Sequence, residues 1–183
     1  EVHAGGSVAI ANHLASFVDS VDLVTYVGER NSQREFLLEA LKEHITPIFV
    51  EKRGSPTIVK RRFVDMYSLS KLLEVYEMND APLAPDEEAQ LCDALECRTV
   101  ANEVTVVADF GHGLLSARAR QLLSNKARYL AINTQINSAN LGYHTLSKYC
   151  RADYICVHEG EVRLETRDRT GDIESLVADV AAR

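Results

Sequence analysis

Val104-Thr105-Val106-Val107-Ala108 form an apolar and β-branched run with no charged interruption, and they lead directly into Asp109-Phe110-Gly111-His112-Gly113. Such a run reads as a strand buried on both faces, as in parallel α/β sheets, where ligands gather just beyond the carboxyl ends of the strands. Asp109 is thereby expected at a ligand crevice. The same spacing allows two plainer roles: a cap for the helix starting near Ser116, or an acceptor for loop amides, with the glycines serving only the turn.

With 183 residues, 46% hydrophobic and 26% charged, the chain can bury a normal core and reads as one domain. A net charge of −7 and a pI near 5.4 argue against a dedicated nucleic-acid or anionic-membrane surface, which would need clustered Lys and Arg. The longest apolar runs are strand-length and no signal-peptide pattern is seen, so the expected compartment is the cytoplasm. Cys92, Cys97, Cys150 and Cys156 lack the spacing of zinc or redox pairs and are expected as buried free thiols.

Periodicity divides the chain into elements. Gly5-Gly6 open a helix over Ser7 to Val18, whose free amides suit an anion or a sugar hydroxyl; a strand over Leu23 to Val27 and a helix over Ser32 to Glu43 follow. From 45 to 79 the period changes to that of half-exposed strands, at Ile48–Val50, Thr57–Val64 and Leu72–Met78, with Arg53-Gly54-Ser55-Pro56 as the turn joining the first two. This insert is expected to be an antiparallel flap, serving as a lid or a dimer surface. Helices over Asp86–Val100, Ser116–Lys126 and Ser138–Tyr149 then alternate with strands over Val104–Ala108, Tyr129–Asn133 and Tyr154–His158, and two helical pieces follow Gly160. The first helix has no strand before it and the last runs to the final residue, so a segment of a longer protein is expected.

Taken in order, Gly5-Gly6 before a helix, the insert with Thr57, Lys60 and Arg62, the Asp109-Phe110-Gly111-His112-Gly113 loop and Glu161 after a later strand resemble the ribokinase-like (PfkB-type) carbohydrate kinases. Within that family the likeness is greatest to the bacterial heptose-phosphate kinases. The resemblance implies a three-layer α/β sandwich with a mostly parallel sheet, a small antiparallel β lid that often makes a homodimer, and phosphorylation of a sugar or sugar phosphate by ATP with Mg²⁺. It also assigns roles: Gly5, Gly6, Asp109 and Gly113 at the sugar, Lys60 and Arg62 at a substrate phosphate, and Glu161 at Mg²⁺. A solvated strand face is the plainer reading of Lys60 and Arg62, and a helix N-terminal acidic cluster that of Glu161.

Departures from the family pattern are equally specific. Its sugar-binding asparagine corresponds to Ala9, the lysine of its Asp-aromatic loop to His112, its Asp-Pro-Lys element to Asn133-Thr134-Gln135, and its Asn-x-x-Glu motif to His158-Glu159-Gly160-Glu161. The Gly-Ala-Gly-Asp stretch that supplies the family's catalytic aspartate and anion hole does not occur, so this chain alone is not expected to turn over a sugar. A second class of function therefore stands beside the kinase: a non-catalytic binding or dimerisation module, on its own or within a bifunctional kinase and nucleotidyltransferase. Neither a Walker loop nor a dinucleotide fingerprint is present.

Overall fold

The structure, a computed structural model, describes residues 1–136 and 140–182. It consists of two compact units, Glu1–Gln90 and Leu91–Arg183. The first contains α1 (Ser7–Leu14), β1 (Val21–Arg30), α2 (Arg34–Glu39), β2 (Ile45–Pro56), β3 (Val59–Val64) and β4 (Lys71–Glu77). Strands β1 and β2 pair in parallel from Val21 opposite Ile45 to Gly28 opposite Lys52. Val8, Ala11 and Ala15 pack with Leu23 and Ile45, and Leu37, Ala40 and Leu41 close the margin of this cluster. Asn12 ties the two helices together: its Nδ2 donates to Ala40 O at 2.7 Å and its Oδ1 accepts from Lys42 N at 3.0 Å.

Two expectations change here. The helix read over Ser32–Glu43 shrinks to six residues: Gln33, with a left-handed φ of 54°, delays its start to Arg34, and Ala40 ends it. Ile48–Val50 belongs not to the antiparallel insert but to β2, which continues through the supposed turn at Arg53–Pro56. The insert is thus one hairpin, β3–β4, paired antiparallel from Val59 opposite Glu77. Gly28 permits this arrangement. A Cβ at that position would stand 2.2 Å from Pro56 C and 2.3 Å from Ser55 O, closer than real contacts allow.

Polar groups fasten both feet of the hairpin to the parallel pair. At the leading foot, Gly28 N donates to Thr57 Oγ1 at 2.9 Å, and the same hydroxyl donates to Ser32 O at 2.6 Å. At the returning foot, the buried Lys52 ammonium donates to Asn79 O at 2.7 Å and Ala81 O at 2.5 Å, while Asn79 Nδ2 donates to Ser55 Oγ at 2.9 Å. Burial lowers the Lys52 pKa, opposed by the negative charges of Glu87 and Asp80.

The second unit is built on β5 (Val104–Asp109), β6 (Tyr129–Thr134) and β7 (Tyr154–Ile155), a parallel sheet in that order. Helix α3 (Pro85–Ala101) precedes it, α4 (Ala117–Lys126) lies between β5 and β6, and α5 (Glu159–Thr166) and α6 (Ile173–Ala181) follow β7. Leu91, Val107, Leu123, Leu130, Ile132 and Val162 are among its buried side chains. Burial of β5 on both faces does not hold: Val107 and Asp109 are buried, but Val104 and Val106 are 55% and 43% exposed. An unbroken apolar run is equally compatible with one bare apolar face. The helix expected over Ser138–Tyr149 is, among the described residues from Asn140 on, only a 3₁₀ turn at Leu146–Lys148; Ser138 itself lies outside the described residues. Of the cysteines only Cys92 is buried. Among the described residues no helix is long and apolar enough to cross a membrane.

Acid should unfold this chain through its carboxylate caps. Backbone amides hold the carboxyls of Asp65, Asp153, Asp168 and Asp172 below the ordinary aspartate value, those of Ser68, Leu130, Thr170 and Ser175 contributing most. A carboxyl with a lowered folded pKa adds stability above its unfolded value and loses it as pH falls through the folded one. Thermal midpoints followed by circular dichroism should hold from neutral pH to about 5, then fall between about pH 4 and 2. A flat profile across that range would contradict this account.

Candidate functional site

At the carboxyl end of β5 the structure turns Asp109 inward. The residue is only 6% exposed: Tyr149 OH donates to Oδ2 at 2.7 Å and Gly111 N to Oδ1 at 3.1 Å. His144 Nε2 lies 2.9 Å from Asp109 O and 3.4 Å from Oδ1. Lys148 Nζ stands 3.2 Å from His144 Nδ1, so that nitrogen accepts, leaving Nε2–H to donate to the Asp109 carbonyl. Burial, then the Asp109 charge, push the Tyr149 hydroxyl pKa far above that of an ordinary phenol, whereas burial and Arg120 lower that of Lys148. The open crevice position expected for Asp109 is therefore corrected to a packed one, and the plainer reading as an acceptor for loop amides describes its bond to Gly111.

Gly111 and Gly113 take left-handed φ values of 68° and 80°, which lets the loop fold back beneath the segment after β6. Asn140 Nδ2 donates to Phe110 O at 3.3 Å from that segment. His112 is buried and its ring stacks with Phe110, the centroids 6.5 Å apart. Ser116 caps α4, its Oγ accepting from Ala119 N at 3.1 Å, which removes Asp109 from that role.

Glu161 also differs from expectation. His158 Nδ1 accepts from Gly160 N at 3.0 Å, and Glu161 Oε2 accepts from His158 N at 2.7 Å, a capping box at the start of α5 with histidine in the usual Ser/Thr place. Its other oxygen accepts from Ile136 N at 2.9 Å. A Mg²⁺ ion takes one or two carboxylates beside water and phosphate oxygens. Among the described residues no group of three or more His, Cys, Asp or Glu is gathered for a metal, and the one expected donor is engaged by two amides. Each Glu161 oxygen keeps a further lone pair, which fits a Mg²⁺ ion carried mainly by nucleotide phosphates and water rather than one caged by the described residues.

In the first unit, Gly5 and Gly6 are exposed, and Gly6 opens α1 with φ 56° and without a side-chain cap. Lys60 and Arg62 share one face of the hairpin with their partners Tyr76 and Glu74. The Lys60 ammonium lies 4.9 Å from the Tyr76 ring centroid, and Arg62 Nε pairs with Glu74 at 2.7 Å. Thr57, the first residue of the same pattern, is the buried latch to Gly28. At the root of the hairpin, beyond the ends of β1 and β2, an open cleft of about 460 Å³ is lined by Arg30, Asn31, Tyr76, Glu77 and Asn79 among others. Sequence reasoning assigned none of these five. Asn31, at φ 48° in the loop directly after β1, was the available signal.

No protein-family model matches the chain. Among solved structures, a ribokinase from Giardia lamblia matches 93% of this chain and 52% of its own, with a TM-score of 0.59 and 18% identity. Together with the parallel strands and the small antiparallel hairpin, this defines the class: the chain has the ribokinase-like α/β fold expected from its motifs. Its sequence relatives narrow the class further. The chain is 25% identical over 179 residues to the bifunctional protein HldE of Bradyrhizobium diazoefficiens, covering 97% of this chain and 35% of that protein. It is 25% identical over 181 residues to that of Nitrobacter hamburgensis, covering 97% and 36%. A Rhodopseudomonas palustris HldE is 29% identical over 119 residues, covering 64% and 24%. The chain is thus similar in sequence to bifunctional HldE proteins, and it spans about a third of the length of the first two relatives.

Proposed function

We propose that this chain is the sugar-binding part of a cytoplasmic, ribokinase-like kinase whose parent protein transfers phosphate from ATP, with Mg²⁺, to a sugar phosphate of the heptose class. The observation that carries this reading is the cleft at the root of the hairpin, at the carboxyl ends of parallel strands, beside a basic strand face. Its residues suit a phosphorylated polyol. Arg30 spends one N–H on Gly54 O at 2.7 Å and keeps further donors for phosphate oxygens, while Asn31 and Glu77, bonded to each other at 3.3 Å with Glu77 also paired to Arg61 at 3.0 Å, keep a second amide N–H and spare carboxylate lone pairs for hydroxyls. Lys60 and Arg62 add positive charge on the hairpin, and Gly5 and Gly6 leave the α1 amides open to an oxygen ligand. In the second unit Asp109 and Glu161 brace the loops that carry His112, Gly113 and His158. The metal would travel with the nucleotide, because the described residues gather no cluster of three or more ligands for it. Phe63, Leu73 and Val75 lie on the opposite hairpin face, exposed and apolar, and would pair with the same face of a second copy. Nucleic acid and membrane are not partners in this reading.

A second reading, a module that binds without phosphorylating, is favoured by the engagement of both Asp109 and Glu161 in internal hydrogen bonds. One experiment separates the two. The parent protein is incubated with ATP·Mg²⁺ and a panel of hexose and heptose phosphates, with transfer and calorimetric binding both measured. Turnover of a heptose phosphate is the expected result. Binding without transfer would replace the kinase with the module.

A further inference from the structure

Lys52 carries its charge where almost no water reaches, with 2% of the residue exposed. Its ammonium lies 5.4 Å from the Tyr26 ring centroid and donates to Asn79 O at 2.7 Å and Ala81 O at 2.5 Å. Two carbonyls so close in sequence, turned to one donor, bend the chain sharply after β4, and Ala81 N donates to Asn79 Oδ1 at 3.0 Å within the bend. Asn79 Nδ2 in turn reaches the fully buried Ser55, donating to Oγ at 2.9 Å. Ser55 precedes Pro56, and Pro56 and Asn79 both line the cleft at the hairpin root. We infer that Lys52 is a positioning residue of that cleft: hidden from any ligand itself, it seats Asn79 against Ser55 and so sets the gap between Pro56 and the wall formed by residues 76 to 79.

The negative charges facing the ammonium are those of Glu87, buried in the first turn of α3, and of the exposed Asp80, while burial pushes the Tyr26 hydroxyl pKa up to about 12. The neighbouring cation, Arg53, is paired with Glu87 and Asp86. With an ammonium the bonds to both carbonyls are charge-assisted and the ring adds a cation–π attraction; a neutral amine keeps two N–H groups and loses both gains. Burial lowers the Lys52 pKa, so the charge is no gain in stability over the neutral amine. What it adds is the orientation of two carbonyls. The sugar-phosphate ligand of the cleft rests on the reading proposed above, whereas the positioning does not.

The full chain, labelled with ¹⁵N and ¹³C, is titrated from about pH 7 to 11 while the Lys52 ammonium, the Asn79 side-chain amide and the Ala81 amide are followed by NMR. Affinity for sedoheptulose 7-phosphate is measured by calorimetry over the same range, where the ester, with a second pKa of about 6, keeps its full charge. The Asn79 and Ala81 signals should shift as Lys52 discharges, and affinity should fall about tenfold through the same midpoint. Stability should move the other way. Between the lowered folded pKa and the unfolded one the unfolded chain binds more protons, so the wild type should gain on Lys52→Met in urea as pH rises. Lys52→Met should bind about tenfold more weakly at pH 7 and show no step, because it leaves both carbonyls without their donor. Asn79→Ala, which keeps its carbonyl, should retain the Lys52 ammonium signal while weakening the ligand. Asn79 and Ala81 signals indifferent to the Lys52 titration, or a Lys52→Met affinity and pH profile equal to wild type, would each overturn the inference. A wild type that binds no sugar phosphate would instead remove the ligand reading of the cleft, and the Asn79 and Ala81 titration would then decide the positioning.

Discussion

Gly28→Ala should cost about 4 kcal/mol or more, the largest loss expected from any one-methyl change in the chain. The added Cβ meets backbone rather than a movable side chain, at 2.2 Å from Pro56 C and 2.4 Å from Thr57 N. Relief requires β2 to pull away from β1, which also breaks the bond from Gly28 N to Thr57 Oγ1. Gly5→Ala is the matched control, since nothing lies within 4 Å of its Cβ. Urea unfolding of both variants by circular dichroism gives the comparison. A Gly28→Ala loss below about 1 kcal/mol would mean that the two strands separate freely at this point.

Asp109→Ala should destabilise the second unit by about 3 to 5 kcal/mol. The carboxylate is the acceptor for the Tyr149 hydroxyl and the Gly111 amide, and its removal leaves both donors buried without it. Tyr149→Phe deletes one bond to the same charge and should cost less, about 1.5 to 3 kcal/mol. Because the two residues touch, the double variant should fall short of the sum, and the shortfall measures their coupling. Equal and small effects of about 0.5 kcal/mol would show that water, and not Tyr149, satisfies the carboxylate in solution.

The parts of the fold that local periodicity governs were readable in the sequence, and the parts set by long-range pairing were not. The strand over Val104–Ala108 emerges as β5 with Asp109 at its end, and Ser116 caps the helix read beside it. Lys52 is buried on the same face of β2 as Val50, and nothing local says that Asn79 and Ala81 would receive it there. Arg53-Gly54-Ser55-Pro56 has turn composition, yet it extends a strand, because the absent side chain of Gly28 on the neighbouring strand makes room. At the candidate site the residue types were legible and their engagement was not. Asp109 meets Tyr149 across 40 positions and Glu161 meets Ile136 across 25. Whether a carboxylate faces solvent or a partner that far along the chain is a property of the folded whole, beyond the reach of spacing.

Thr57 and Asn79 are each anchored to the parallel strands, so the chain between them behaves as an exchangeable cassette. Residues 58 to 78 can lengthen, shorten or change their chemistry while the sockets at Gly28, Lys52 and Ser55 stay as they are. Variation in what the hairpin presents is thereby separated from the stability of the strands that carry it, and a descendant protein can acquire a new cover for its cleft without refolding the floor.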